Sequence, residues 1–419
     1  MPNDLWVRGV RLAVVIIGAM TATEPRRADP VLEESAEGEQ RVTSLELFFD
    51  LVFVFALTQV TGFVSSDPTW TRLLEGMAIL AALWWAWESY AWLQNTAATD
   101  EGAIRVVLLS AMGAMLITSL AVPGAFGDDG LIFGIAYFTV RALHIGAYVV
   151  VTRGDPALRA VVWRLASTVA PAVTLLIVAG ALDGTPRALC WIAALGVDYG
   201  GLVARGVEGW RVMPGHFAER HGLIVIIALG ESIVSLGVGA GGLDLTVGVI
   251  AGALLGVAVA AAMWWAYFDV VAIVAERRLR GASLRDRVLI ARDSYTYLHL
   301  PMVAGVIVFA IGEKKTLAGV DEHLHSVPAV ALCGGVALYL LALSAFKRRN
   351  VGSFNVPRLV AAAALAALAP LAFVLPALLS LGLVALVACG LITFEVFHYA
   401  EARDRIRHGA DRPGASALR

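Results

Sequence analysis

The sequence predicts an all-α polytopic membrane protein of about 12 transmembrane helices in two parallel six-helix repeats, with the N-terminus and C-terminus both cytoplasmic. The first observation behind this is composition: hydrophobic residues make up 59% of the 419 and charged residues only 16%. The mean hydropathy is +0.76, far from what water-soluble globular domains show. The second is a recurrence of apolar windows of roughly 20 residues, the length a helix needs to cross hydrocarbon. They lie at about 45–63, 72–93, 104–122, 131–151, 161–182, 187–204, 221–240, 245–275, 288–311, 327–346, 357–375 and 378–398. The third is the placement of Lys and Arg. Of the 32, only Arg72, Arg187, Lys314 and Lys315 fall on the far side, and Arg141 lies within a span. The rest gather at the two ends and in alternate loops, which by the positive-inside rule puts both ends in the cytoplasm.

Residues 1–40 read as a disordered cytoplasmic tail, acidic and Pro-containing over 24–41. Within them LAVVIIGAM at 12–20 follows Arg8 and Arg11 like a signal-peptide core, but no A-x-A site follows, and a start at Met20 is an equal alternative. Residues 41–204 form the first repeat, 205–400 the second, and 401–419 a basic cytoplasmic tail. The duplication rests on paired strings. LELFFDLVFVFALTQV of the first span aligns with ERHGLIVIIALGESIV of the seventh, Glu46 falling on Glu219, and LAALWWAWESY of the second with VAAAMWWAYFD of the eighth. Ala170-Pro171 and Ala369-Pro370 mark the fifth and eleventh spans, Asp198 and Glu395 the sixth and twelfth. Because six is even, both halves cross in one direction, as in repeats related by an axis along the membrane normal.

Ionisable groups inside a span cost on the order of 2.5–3.5 kcal/mol each on insertion scales, so they face a protein or aqueous interior and find partners. Asp50 sits roughly 9 Å in from the start of its helix, with Glu46 one turn earlier on the same face. Glu88, Asp269 and Glu395 fall at similar depth, and together with Asp50 they suggest an acidic ring on the cytoplasmic side. Nearer mid-membrane lie Asp198, Arg141 with His144 at i+3, His299, and Glu231 in ALGES. Arg141 demands a counter-charge, with Glu231 the first choice and Asp198 the second. An interhelical tether is the structural alternative for such a pair. Histidine titrates near neutral pH, so a His–carboxylate pair is a natural proton-handling unit.

Trp84, Trp85, Trp87, Trp264, Trp265 and Tyr267 form twin aromatic clusters, read either as interfacial belts or as a lining beside Glu88 and Asp269. Gly248, Gly252 and Gly256 recur every four residues and allow close helix approach. Pro171, Pro301, Pro370 and Pro376 interrupt spans, and breaks at matching places in two halves point to a transporter site. Asp321, Glu322, His323 and His325 match no strong zinc spacing, and no metal or other cofactor is expected. Cys190, Cys333 and Cys389 all fall in spans, with no CxxC motif. The Arg-rich loop at 276–292 sets topology and suits anionic lipid rather than nucleic acid. Walker, HExxH and GxSxG signatures are absent.

RVTSLELFFDLVFVFALTQVT, ERHGLIVIIALGESIVSLG, AMWWAYFD and YLHLPMVAGVIVFAIGEK, in that order between roughly residues 40 and 400, resemble the bacterial low-temperature-requirement A family of membrane proteins. The resemblance implies a multi-pass protein of the bacterial cytoplasmic membrane and supplies no substrate. Carried over by position, its motif residues are Glu46, Asp50, Glu219, Arg220, His221, Glu231, Asp269, His299 and Glu313. The leading expectation is an ion- or proton-coupled secondary transporter. Its substrate- and ion-binding residues are Asp50, Glu88, Arg141, His144, Asp198, His221, Glu231, Asp269 and His299, and its partners are the bilayer and a small solute or ion. The alternatives are a non-catalytic scaffold or sensor, and a lipid-handling enzyme using His221 and His299 as acid and base.

Overall fold

A computed structural model describes residues 41–96, 102–204, 206 and 208–408. The expectation for the N-terminal tail, and for residues 409–419, lies outside the described residues. The described chain is helical throughout, and each of the twelve apolar windows falls on a helix. In order these are α1 (Ser44–Ser66), α2 (Trp70–Gln94), α3 (Gly102–Leu120), α4 (Gly130–Val151), α5 (Pro156–Gly180), α6 (Gly184–Ala204) and α7 (Pro214–Ala240). Then come α8 (Val247–Phe268) with its continuation α9 (Val271–Arg280), α10 (Leu284–Ile290) running through a π-helical stretch Ala291–Tyr297 into α11 (Leu298–Ala318), α12 (Ser326–Val351), α13 (Val356–Leu368), α14 (Ala377–His398) and α15 (Ala400–His408). Eleven helical stretches among the described residues are long and apolar enough to cross a membrane. The long helix outside that set is α2, whose 25 residues include Arg72, Glu75, Glu88 and five tryptophans. It is among the most enclosed helices of the bundle, so its polar side chains meet protein rather than lipid.

The helix starts follow local chemistry. Thr43 caps α1, its hydroxyl accepting from the Glu46 amide while the Glu46 carboxylate accepts from the Thr43 amide, which satisfies two of the amides that a helix N-terminus leaves unpaired. Thr69, Thr246, Ser283 and Asn355 cap α2, α8, α10 and α13 in the simpler way. Pro171 lies within a continuous α5, whereas Pro370 follows the end of α13. The two prolines therefore do not break the halves alike. Pro301 removes one amide donor from α11, and the wider π turn lies immediately before it.

Glycines let the deepest helices touch. A side chain on Gly335 of α12 would meet the Phe309 amide nitrogen of α11, and one on Gly305 would meet the Gly335 carbonyl at 2.7 Å. The α8 glycine stripe does what its spacing implies. Gly248, Gly252 and Gly256 face Val320, Leu317 and Glu313, so α8 lies against the α11 end of the chain with no room for a methyl group at Gly252 or Gly256. The predicted basic tail after residue 400 begins as the helix α15, which is tied back to α8 through Arg403 and Arg407 on Asp269.

Candidate functional site: a charged seam between the two halves

Helices α1 and α2 of the first half pack against α7 and α11 of the second. Along that seam the first half presents acids and the second half presents bases. The Asp50 carboxylate receives both terminal nitrogens of Arg220, at 2.8 and 2.9 Å, and the Trp87 indole N–H at 2.8 Å. Arg220 is wholly buried and Asp50 is 1% exposed. The pair is therefore bidentate and dry, the geometry in which a buried ion pair offsets its own desolvation. Glu46 meets His216 at 3.0 Å, and Glu88 meets His221 at 2.8 Å.

Hydrogen-bond direction fixes the protons on these histidines. The Met213 amide donates to Asn95 Oδ1, which orients the Asn95 amide so that its nitrogen donates to His216 Nδ1. His216 then donates from Nε2 to the Glu46 carboxylate. His221 differs. Its Nδ1 lies 2.8 Å from the Phe217 carbonyl, an acceptor only, so Nδ1 carries a proton. Its Nε2 and Glu88 Oε1 then share one further proton across 2.8 Å. The other carboxylate oxygen, Glu88 Oε2, is buried without a hydrogen-bond partner among the described residues. His299 stands beside His221, ring centroids 5.0 Å apart. It donates from Nδ1 to the Ser294 carbonyl at 3.1 Å and accepts at Nε2 from the Tyr267 hydroxyl at 2.9 Å. The π turn brings Thr296 over this group, where Trp84 and Trp92 donate to its carbonyl and hydroxyl, both at 3.0 Å.

A second cluster adjoins the first through α2. Arg141 bonds Asp198 at 3.0 Å, the Ser89 hydroxyl at 2.8 Å and the Trp85 carbonyl at 3.2 Å. The sequence expectation that Arg141 pairs first with Glu231 is thus corrected. Asp198 of α6 faces α4 within the same half, whereas Glu231 lies on α7 of the other. His144 packs against Tyr90 and Tyr148. With Glu88 and Ser89 it lines a small void of about 40 Å³, enough for roughly one water.

Of the nine predicted site residues, Asp50, Glu88, Arg141, His144, Asp198, His221 and His299 gather around α2, and Glu231 and Asp269 do not. Glu231 accepts from Thr58 at 2.5 Å and from Ser235 at 3.1 Å. Asp269 is held by Arg403 at 2.6 Å and Arg407 at 3.0 Å. The acidic ring does not form. Asp50, Glu88, Asp269 and Glu395 each have a separate cationic or imidazole partner, Glu395 being bidentate with Arg358, because a desolvated carboxylate is stabilised far more by a cation in contact than by sharing a ring with other carboxylates. Between α11 and α12, Asp321, Glu322, His323 and His325 do not converge into a group that could hold a metal.

Sequence reasoning missed His216, and took Arg220 only as a motif residue without a role. The cause is a boundary. The apolar window opens at about residue 221 and the string aligned with the first span at Glu219, whereas the helix begins at Pro214, so His216 falls outside both. The Thr43–Glu46 capping box was readable in TSLE and marks Glu46 as part of a helix start rather than as a free carboxylate. The Trp84 and Trp87 side chains prove to be fully buried, and the belt reading is corrected for α2.

Residues 41–393 match the family of the bacterial low temperature requirement A protein (LtrA). The chain belongs to that family. It is also 32% identical over 316 residues to an uncharacterized protein of Rhizobium meliloti (strain 1021), the alignment covering 72% of this chain and 76% of that one. No solved structure matches it. All the cross-seam residues just described lie inside the span matched to the LtrA family.

Proposed function

We propose that this LtrA-family chain is a proton-coupled secondary transporter, and that the Glu88–His221 pair is its proton site. The observation that carries the reading is the shared proton between Glu88 and His221 in a seam where Glu46, Asp50 and Glu88 of α1 and α2 meet His216, Arg220 and His221 of α7. Protonating the Glu88 carboxyl removes its charge and weakens its hold on His221, which would loosen one of the three acid–base pairs that α1 and α2 make with α7. Proton binding and movement of the halves would be linked in that way. A cavity of about 600 Å³ supports the reading. His216, Glu219, Tyr267 and Tyr295 are in its wall, so it reaches the ends of both hydrogen-bond chains, His216–Glu46 and Tyr267–His299. Arg41, Glu276 and Arg280 at its wall lie on the side where most of the arginines gather, which by the positive-inside rule is the cytoplasm.

The duplication belongs to the same proposal, and the contact pattern supports it. In the first half α1 touches α2 and α3, the chain then packs in order through α4, α5 and α6, and α2 touches α4 and α6. In the second half α7, α8, α11, α12, α13 and α14 repeat every one of those contacts in the same order. A tyrosine on the fourth helix of each half, Tyr137 and Tyr339, donates to a carbonyl just before the Trp-Trp pair on the second, at Ala82 and Met263.

Proteoliposomes loaded with a pH-sensitive dye and challenged with a panel of amino acids, sugars, organic anions and organic cations test the function. The expected result is solute-dependent proton movement that falls at least about tenfold in Glu88→Gln, equivalent to about 1.4 kcal/mol. Wild-type protein silent across the panel, or Glu88→Gln coupling protons at the wild-type rate, would overturn it.

A further inference from the structure

A second large cavity, about 400 Å³, lies away from the seam, at the end of the second half where α9, α12, α13, α14 and α15 meet. Its volume falls within the range of small-molecule sites. Its wall is mostly apolar, with Val271, Val274 and Phe346 inside. Large apolar side chains stand exposed around the opening: Trp265, Val351, Phe354, Val356 and Tyr399 are between 37% and 64% exposed. Set into this wall are groups of opposite character. Arg358 is only 5% exposed, spends its Nε and one terminal nitrogen on Glu395, and leaves its Nη1 without a hydrogen-bond partner among the described residues. Lys347 is half-buried in the wall and makes no ion pair or hydrogen bond among the described residues. Asn350 donates to Phe346 and leaves its carbonyl oxygen without a partner there.

The charges do not cancel. The two carboxylates of the wall are each in contact with arginines, Glu395 with Arg358 and also Asn355, Asp269 with Arg403 and Arg407, so Lys347 is a cation in excess of the paired charges. A buried guanidinium nitrogen and a half-buried ammonium left without partners are costly unless an acceptor completes them. An anion at one end and an apolar rim at the other match one kind of molecule.

We propose that this cavity binds a membrane phospholipid with an anionic headgroup. The phosphate would be held by Lys347 and Arg358 and a headgroup hydroxyl by Asn350, with the acyl chains leaving over Phe354 and Val356. Native mass spectrometry of the detergent-purified full chain tests this, using dioleoyl phosphatidylglycerol, dioleoyl phosphatidylcholine and inorganic phosphate as probes. One tightly held phosphatidylglycerol is expected, with phosphatidylcholine at least about fivefold weaker and inorganic phosphate not retained. Lys347→Gln should lower phosphatidylglycerol affinity about fivefold, the effect of one basic group on an anionic lipid. Val274→Phe, which fills the cavity, should lower it as well, and circular dichroism should show both variants folded. Equal retention of the two lipids, or phosphatidylglycerol binding unchanged in both folded variants, would overturn the site. Inorganic phosphate bound as well as the lipid would overturn the lipid assignment.

Discussion

The Trp-Trp-Ala strings of α2 and α8 are identical in letters and opposite in surroundings. Trp84 is fully buried and donates to Thr296, and Trp85 is 6% exposed, while Trp264 and Trp265 are 44% and 37% exposed; the next aromatic, Trp87, donates to Asp50. The acids near them differ in the same way. Asp50 beside Trp87 is enclosed with Arg220 in the seam, whereas Asp269 after Trp265 is held at the surface by α15. The cause is position in the bundle. Helix α2 is surrounded by α1, α4, α6, α7 and α11, so its indoles have polar partners at hand. Helix α8 buries a smaller share of its residues, and its inward place goes to Tyr267, which is 1% exposed. Two similar strings can thus lie in a hydrogen-bonding core and on an exposed surface with the same aromatic residues.

The sharpest way to break the comparison is at Arg220. Arg220→Met leaves Asp50 charged and buried without its cation, and should lower stability by about 3–5 kcal/mol, whereas adding Asp50→Leu should recover most of the loss. Thermal unfolding of the purified variants in one detergent would show it, and a melting temperature for Arg220→Met within a degree of wild type would contradict the seam. Removing only the indole N–H is gentler. Trp87→Phe retains most of the packing and takes one hydrogen bond from Asp50, an expected loss of about 1 kcal/mol in the same assay.

On the α8 side the same operations should do less. Arg403→Gln removes a partly exposed cation from Asp269, which keeps Arg407, so the change should fall in the range of about 0.2–1 kcal/mol typical of surface pairs. Trp264→Phe should shift stability by less than about 0.5 kcal/mol. If Trp264→Phe destabilised as much as Trp87→Phe, the distinction between the two strings would be wrong.

The apolar windows were legible because hydrophobicity over twenty residues is a local sum, and each window found its helix. The glycine stripe on α8 was legible for the same reason, since a period of four places small residues on one face whatever lies opposite. The charged partners were not. Glu46, Asp50 and Glu88 were visible as carboxylates in apolar surroundings, yet His216 and Arg220 stood before the apolar window of their helix. Arg141 shows the limit most clearly. Its need for an anion followed from its depth, but depth alone favoured Glu231 over Asp198, and only the packing of α6 on α4 within one half reversed that order.

By itself the sequence determined that this chain is a many-helix membrane protein of the LtrA family, which residues would be buried at a cost, and that they would need company. The tertiary structure decided which company they keep. Asp50 and Arg220 lie 170 positions apart along the chain, and nothing in the residues between them specifies that distance in space. Burial is dictated by a side chain's own solvation. Pairing depends on where two separate helices come to rest, which is a property of the packed bundle.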